Sequence, residues 1–165
     1  MSFFITGKQQ EIALEAVRMR LLTKIELLKE VEGIGILGSL ARGDFGDKSD
    51  IDVFVIIKEE DDRPDIDEIW YKRVKGLIGD LKRDITVILY TLDGLKAVPT
   101  WHTIRLASEG IIAYDKGKVR ETFQKIIKKA REAGLVEKKI GKRKVWMIGR
   151  PLRRGELIEV KVSEE

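Results

Sequence analysis

The stretch GSLARGDFGDKSDIDVFV, Gly38 to Val55, decides how this sequence is read. Its second half opens the β-branched, phenylalanine-containing apolar run Ile51 to Ile57, which has the composition of a buried strand. Alternation along that strand sends Asp50 and Asp52 to one side and Ile51 and Val53 to the other. Two carboxylates so placed repel each other, and near a buried sheet they are costly unless a positive charge neutralises them. Hard divalent cations do this, and magnesium takes one or two carboxylates together with substrate phosphates. The first half, Gly38-Ser39, lies between a short apolar strand, Ile34 to Leu37, and an expected helix start. Gly38 lets the backbone approach a phosphate there, and free N–H groups at a helix start attract negative charge. Ser39 adds a hydroxyl donor. Arg42, one turn on, either reaches the same phosphates or pairs with a neighbouring carboxylate such as Asp44 or Asp47.

Downstream, Ile85 to Leu89 reads as a third strand entered through Lys82-Arg83-Asp84. Asp84 is in phase with Thr86 and Ile88. If this strand lies beside the first, Asp50, Asp52 and Asp84 converge on one patch. Two metals about 3.5–4 Å apart could then clamp the attacking and leaving oxygens of an in-line displacement. Asp80 falls inside the preceding helix, where a capping or solvated role fits it.

The flanking elements complete an alternation of strands and helices. Ala13, Val17, Leu21, Ile25 and Leu28 give Gln9 to Val31 the apolar stripe of one long helix, ended by Gly33 and Gly35. Pro64 and Asp65 open another, with Glu68 in a capping-box spacing and Ile66, Ile69, Trp70, Val74, Leu77 and Leu81 on its apolar face. Trp101 to Ser108 reads as a helix, Ile111 to Tyr114 as a short strand, and Lys118 to Ala133 as a helix closed by Gly134. Val136 to Ile140 and Lys144 to Ile148 form a hairpin around Gly141-Lys142-Arg143, and Leu157 to Val162 reads as a last strand. The expected class is α/β (α+β): a small mixed sheet flanked by helices, with a basic helix–hairpin extension. The division is 1–116 and 117–165. The extension resembles the helix end and wing of a winged-helix domain, although too few residues precede it to supply all three helices.

Composition narrows the chemistry. In 165 residues there is no cysteine, which excludes disulfides, thiolate-bound zinc and a cysteine nucleophile. No apolar stretch approaches the roughly 20 residues that cross a bilayer, and Met1 to Lys8 lacks the pattern of a secretory signal, so the expected location is the cytoplasm. The sole histidine, His102, reads as structural or surface, Trp70 and Trp101 as core residues, and Trp146 as a buried hairpin tryptophan. The net charge of +4 hides an asymmetry: Lys118 to Arg154 holds 14 basic and 3 acidic residues. That segment is a candidate nucleic-acid surface, or else a solvated extension.

Gly38, Ser39, Ala41, Arg42, Gly43, Ser49, Asp50 and Asp52, with Asp84 as third carboxylate, resemble the signature of the polymerase-beta-like nucleotidyltransferases. The resemblance is closest to the minimal nucleotidyltransferases of archaea and bacteria. It covers roughly residues 10 to 115, and Ile104 to Asp115 looks like the end of such a domain. It implies transfer of a nucleoside monophosphate, AMP from ATP, onto a hydroxyl with loss of pyrophosphate. By the resemblance, Asp50 and Asp52 bind two magnesium ions, Asp84 binds one of them and takes the acceptor proton, and Gly38, Ser39, Arg42 and Ser49 hold the nucleotide. It also implies an all-helical partner of the higher eukaryotic and prokaryotic nucleotide-binding (HEPN) type in a toxin–antitoxin pair. The competing expectation is a catalytically silent module of the same fold that binds a partner protein or nucleic acid.

Overall fold

The computed structural model describes residues 6–141 and 143–163. Four strands form one sheet in the order β3-β2-β1-β4, from β1 (Gly33–Leu37), β2 (Ile51–Ile57), β3 (Ile85–Thr91) and β4 (Ile111–Asp115). β1 is antiparallel to both β2 and β4, while β2 and β3 are parallel, so the sheet is mixed as expected.

Alternation along β2 sorts the two cores. Ile51, Val53, Val55 and Ile57 face a layer made by α1 (Gly7–Leu21), α2 (Ile25–Glu30), α3 (Gly38–Arg42) and α4 (Ile66–Ile78), the last contributing Trp70, Val74 and Ile78. Phe54 and Ile56 face the opposite layer of α5 (Leu92–Lys96), α6 (Trp101–Glu109) and α7 (Val119–Glu132), with the hairpin β5 (Leu135–Ile140) and β6 (Arg143–Ile148). Asp52 is in phase with Phe54 and Ile56, so it belongs to the α6 face. This parity selects the helix that completes the site. Segments 1–116 and 117–165 meet in this second core, where the rings of Phe54 and Phe123 lie 5.8 Å apart.

Several elements depart from the sequence expectation. The single helix over Gln9 to Val31 is two helices, broken between Leu21 and Ile25. There the Thr23 hydroxyl donates to the Arg20 carbonyl at 2.7 Å, a side-chain bond that competes with helix continuation. Gly33 and Gly35 lie within β1 rather than ending a helix. A Cβ on Gly35 would stand 2.2 Å from the Ile111 carbonyl oxygen and 2.4 Å from the Phe54 ring, and one on Gly33 2.5 Å from Val119. Asp65 precedes α4 without a side-chain cap, and Glu68 pairs with Lys72 at 2.8 Å instead of closing a capping box. Asp80 sits in a 3₁₀ turn, Gly79–Leu81, and receives Arg20 at 2.6 Å. Leu157 to Val162 forms no strand. Val160 and Val162 are buried on the second core, and Val162 is tied by its N–H to the Lys96 carbonyl.

The start of α7 is held from the preceding strand. The Asp115 carboxylate accepts from the backbone N–H groups of Gly117 (2.7 Å), Val119 (3.1 Å) and Arg120 (2.9 Å). Burial alone would raise its pKa, but these three donors together outweigh it and hold the group below the usual carboxylate range. Asp115→Ala is therefore predicted to cost about 1 kcal/mol, the usual cost of a lost helix cap. Because the folded pKa is depressed, the difference should be full above the ordinary aspartate value and vanish as pH falls through the folded one. Urea midpoints of both forms at pH 7 and below pH 3 check this, and an equal gap at both would refute it.

Candidate active site

The site forms where the ends of β1 and β2 meet. The antiparallel register pairs Leu37 with Asp52, so Gly38 follows β1 directly beside that aspartate. Gly38 has φ +72°, and a Cβ there would lie 2.0 Å from Asp52 Oδ2. The carboxylate occupies the space that any side chain at position 38 would need. The glycine of the first motif half and the aspartate of the second are thus one packing unit.

A cleft of about 310 Å³ opens at this point. Gly38, Ser39, Arg42, Ser49, Asp50 and Asp52 line it, so six of the seven site residues expected from the sequence come together. Asp52 is half-buried and Asp50 exposed. Burial first, and the neighbouring Asp50 charge second, raise the pKa of Asp52 above the usual range. A hydrogen bond from Thr86, its partner in register, and the Arg42 and His102 charges offset part of this.

Asp84 is not among the residues that line the cleft. β3 pairs with β2 so that Ile85 stands opposite Ile51, and the Ile51 N–H donates to the Asp84 carbonyl at 2.8 Å. That register leaves Asp84 level with Asp50, ahead of the first rung and exposed to solvent. The position opposite Asp52 is Thr86, and the β3 side chain that lines the cleft is Ile88. Among the described residues no three acidic, histidine or cysteine side chains converge closely enough to hold one metal ion.

Helix α6 supplies what the sequence reading missed. His102, Arg105 and Glu109 line the cleft at the spacing i, i+3, i+7 of one helix face. His102, expected to be structural or surface, bonds through Nδ1 to the Tyr90 hydroxyl at 2.9 Å, and burial pushes that phenol up to about 12. Glu109 is held between Arg42 (3.7 Å) and Arg105 (3.9 Å), and Arg42 also reaches Asp44 at 3.2 Å. Arg42 thus pairs with carboxylates while still lining the cleft. The Ser49 hydroxyl accepts from Gly46 N–H at 2.8 Å and helps close the loop between the motif halves. Arg83 holds that loop from outside, donating to the carbonyls of Gly46, Asp47 and Ser49 at 2.7–3.1 Å and stacking over Phe45.

The sequence profile described as "Nucleotidyltransferase domain" matches residues 18–146, most of the chain. The chain belongs to this nucleotidyltransferase family. The matched span runs from the last turn of α1 into the second hairpin strand, so it contains the whole cleft. Nucleotidyl transfer is the activity that accompanies the family, and its members generally use a nucleoside triphosphate with a divalent metal. No curated protein matches the nucleotidyltransferase significantly. Among solved structures it is similar to a Sulfolobus solfataricus protein provisionally described as a nucleotidyltransferase, at 17% identity and TM-score 0.43, over 67% of this chain and 87% of that one. It is also similar to a toxin–antitoxin complex with AMP-PNP, at 19% identity and TM-score 0.43, over 70% and 90% of the two chains. A third similarity is to a mutant of the toxin–antitoxin pair MntA-HpeT, at 15% identity and TM-score 0.38, over 74% and 90%. No described helix is long and apolar enough to cross a membrane.

Proposed function

We propose that the nucleotidyltransferase moves a nucleoside monophosphate, AMP from ATP, onto a hydroxyl acceptor and releases pyrophosphate. The observation that carries this is the Asp52 carboxylate packed over Gly38, in one cleft with Asp50, Ser39 and Arg42. The donor set fits a magnesium ion: two adjacent carboxylates, all hard oxygen, one of them disfavoured as an anion by burial and by its neighbour. Asp50 and Asp52 would hold it. Bound there with the triphosphate, magnesium would neutralise charge that builds on the phosphates. Asp84, level with Asp50 on the neighbouring strand and on the same face, would be the third carboxylate of a two-ion arrangement.

The remaining residues position and neutralise. Gly38 and Ser39 receive the triphosphate through backbone and hydroxyl donors, and Arg42 presents a guanidinium that Glu109 and Asp44 orient. In the transfer the acceptor oxygen bonds to the α-phosphorus and the bond to the α,β-bridging oxygen breaks. Pyrophosphate leaves, and the hydroxyl proton passes to solvent. No cysteine or lysine nucleophile lines the cleft among the described residues, in keeping with a direct displacement driven by positioning. The resemblance to minimal nucleotidyltransferases supports a HEPN-type protein as one class of partner. The basic segment Lys118 to Arg154 supports nucleic acid as another.

Thermal unfolding with magnesium alone, each triphosphate alone and both together tests the proposal. ATP with magnesium should stabilise the protein by about 2.7 kcal/mol at a hundred-fold excess over Kd. Absence of any shift with all four triphosphates would favour the silent binding module instead.

A further inference from the structure

Helix α6 spans the cleft from one wall to the other. Glu109, at its C-terminal end, pairs with Arg42 of α3, beside the Gly38 and Ser39 that follow β1. His102, near its N-terminal end, is tied through Nδ1 to the Tyr90 hydroxyl of β3 at 2.9 Å. Seven residues of helix put about 10 Å between these two side chains along the axis. In the sheet, β2 with Asp50 and Asp52 lies between β1 and β3. We propose that His102 faces the acceptor hydroxyl and takes its proton as the bond to phosphorus forms. The proposal deepens the transferase reading of this cleft and rests on it.

An in-line displacement assigns the two walls. The attacking and leaving oxygens stand on opposite sides of the α-phosphorus. With pyrophosphate held on the β1 side and the α-phosphorus above the carboxylates of β2, the acceptor enters from the β3 side, where His102 stands. The imidazole is held for that task. Tyr90 is not among the residues that line the cleft, so its bond to Nδ1 grips the ring from behind and leaves Nε2 for the cleft. Burial keeps the Tyr90 phenol protonated at neutral pH. The base form is the tautomer in which the phenol oxygen accepts from Nδ1–H and Nε2 keeps its lone pair. A general base works best with a pKa near the operating pH, which imidazoles have and ordinary carboxylates lack. The helix start is also open to an incoming hydroxyl: Trp101, expected in the core, is 50% exposed, and His102 is exposed beside it. The charged and titratable groups around His102 are Asp50 and Asp52 from β2, Tyr90 from β3, Arg42 from α3, and Arg105 and Glu109 from its own helix. An imidazolium there faces three carboxylates and two guanidiniums, and its charge reaches Asp52. In the step, the acceptor oxygen bonds to the α-phosphorus and keeps the electron pair of its O–H bond. The bond to the α,β-bridging oxygen breaks, and the proton moves to Nε2 and from there to solvent.

His102 is the only histidine in the chain, so its modification by diethyl pyrocarbonate is read without interference. Pyrophosphate with magnesium, which fills the phosphate grip alone, should leave the rate of modification unchanged. ATP with magnesium should slow it several-fold, as the α-phosphate and nucleoside come up to the imidazole. Equal protection by both, or by neither, overturns the proposal. Turnover is read as pyrophosphate release from ATP and magnesium in buffer containing glycerol, so that water and an alcohol are both offered as hydroxyls. His102→Gln should lower kcat about a hundred-fold, the lower end for a general base, with KM for ATP little changed. The acid-side limb of the kcat profile nearest neutrality should disappear with it. Imidazole added to His102→Ala should restore turnover, which a purely structural role would not allow. Tyr90→Phe, which removes only the positioning bond, should lower kcat by less and keep the limb. Unchanged kcat in His102→Gln, a limb that persists there, or no rescue by imidazole overturns the proposal. The two readings fail separately. Stabilisation by ATP with magnesium but no selective protection of His102 removes the base and keeps the cleft. No stabilisation and no pyrophosphate release with any triphosphate removes the transferase reading itself.

Discussion

Asp52→Asn is expected to reduce nucleotidyl transfer about a thousand-fold while leaving the fold as stable as before, or more so. The substitution keeps the shape of the side chain and removes its charge. Loss of a carboxylate that neutralises and orients a metal–triphosphate complex should cost several kcal/mol of transition-state stabilisation, at about 1.4 kcal/mol per ten-fold in rate. Stability should move the other way. Burial and the Asp50 charge raise the Asp52 pKa in the folded protein, so folding disfavours its anion. A raised folded pKa gives stability that is present below the unfolded value and lost as pH rises through the folded one. At neutral pH the wild-type protein therefore carries that penalty, and the asparagine does not. Urea unfolding of both forms at pH 7 and at pH 4, beside pyrophosphate release with ATP and magnesium, gives both readouts. Rates within ten-fold of wild type, or a clear destabilisation at pH 7, would remove Asp52 from the role assigned to it.

What the sequence disclosed and what it hid divide by distance along the chain. Gly38, Ser39, Asp50 and Asp52 were legible because strand parity and one short loop are local properties, and β2 was bounded correctly as Ile51–Ile57. Strand phase also placed Asp84 on the right face, but phase says nothing of register. The pairing of Ile85 with Ile51 puts that acid level with Asp50, beyond the residues that line the cleft. The residues of α6 were hidden because they reach the cleft only through packing on the Phe54 face. Their signal was present as the polar stripe His102, Arg105, Glu109 on a helix whose other side buries Thr103, Ile104 and Leu106. Gly33 and Gly35 read as helix breakers because glycine is a local punctuation mark, whereas the reason for them is the Phe54 ring and Val119 arriving from elsewhere in the chain. Helix α5 is too short to show a period, although its cap, Thr91 accepting from the Gly94 N–H at 3.0 Å, is a recognisable local cue.

Gly38→Ala is the second large expected effect, and Gly43→Ala is its control. Both glycines have positive φ, +72° and +91°, where a Cβ costs about 1–2 kcal/mol in backbone strain. They differ in what a methyl group would meet. At Gly43 nothing lies within 4 Å, so the cost there is the backbone's alone. At Gly38 the new carbon would overlap Asp52 Oδ2 at 2.0 Å and press on its Cγ at 3.0 Å. The Leu37–Asp52 rung fixes both backbones, so the carboxylate has to rotate out of its place beside Asp50. Both variants should therefore lose stability in urea, Gly38→Ala at least as much as Gly43→Ala. Only Gly38→Ala should also lose transfer, by about a hundred-fold, the scale at which about 1 Å of misplacement at a reacting centre is felt. Its stabilisation by ATP with magnesium should fall with it, while that of Gly43→Ala should persist. Equal activity losses in the two would mean that the loop's conformation matters and that the contact between Gly38 and Asp52 does not.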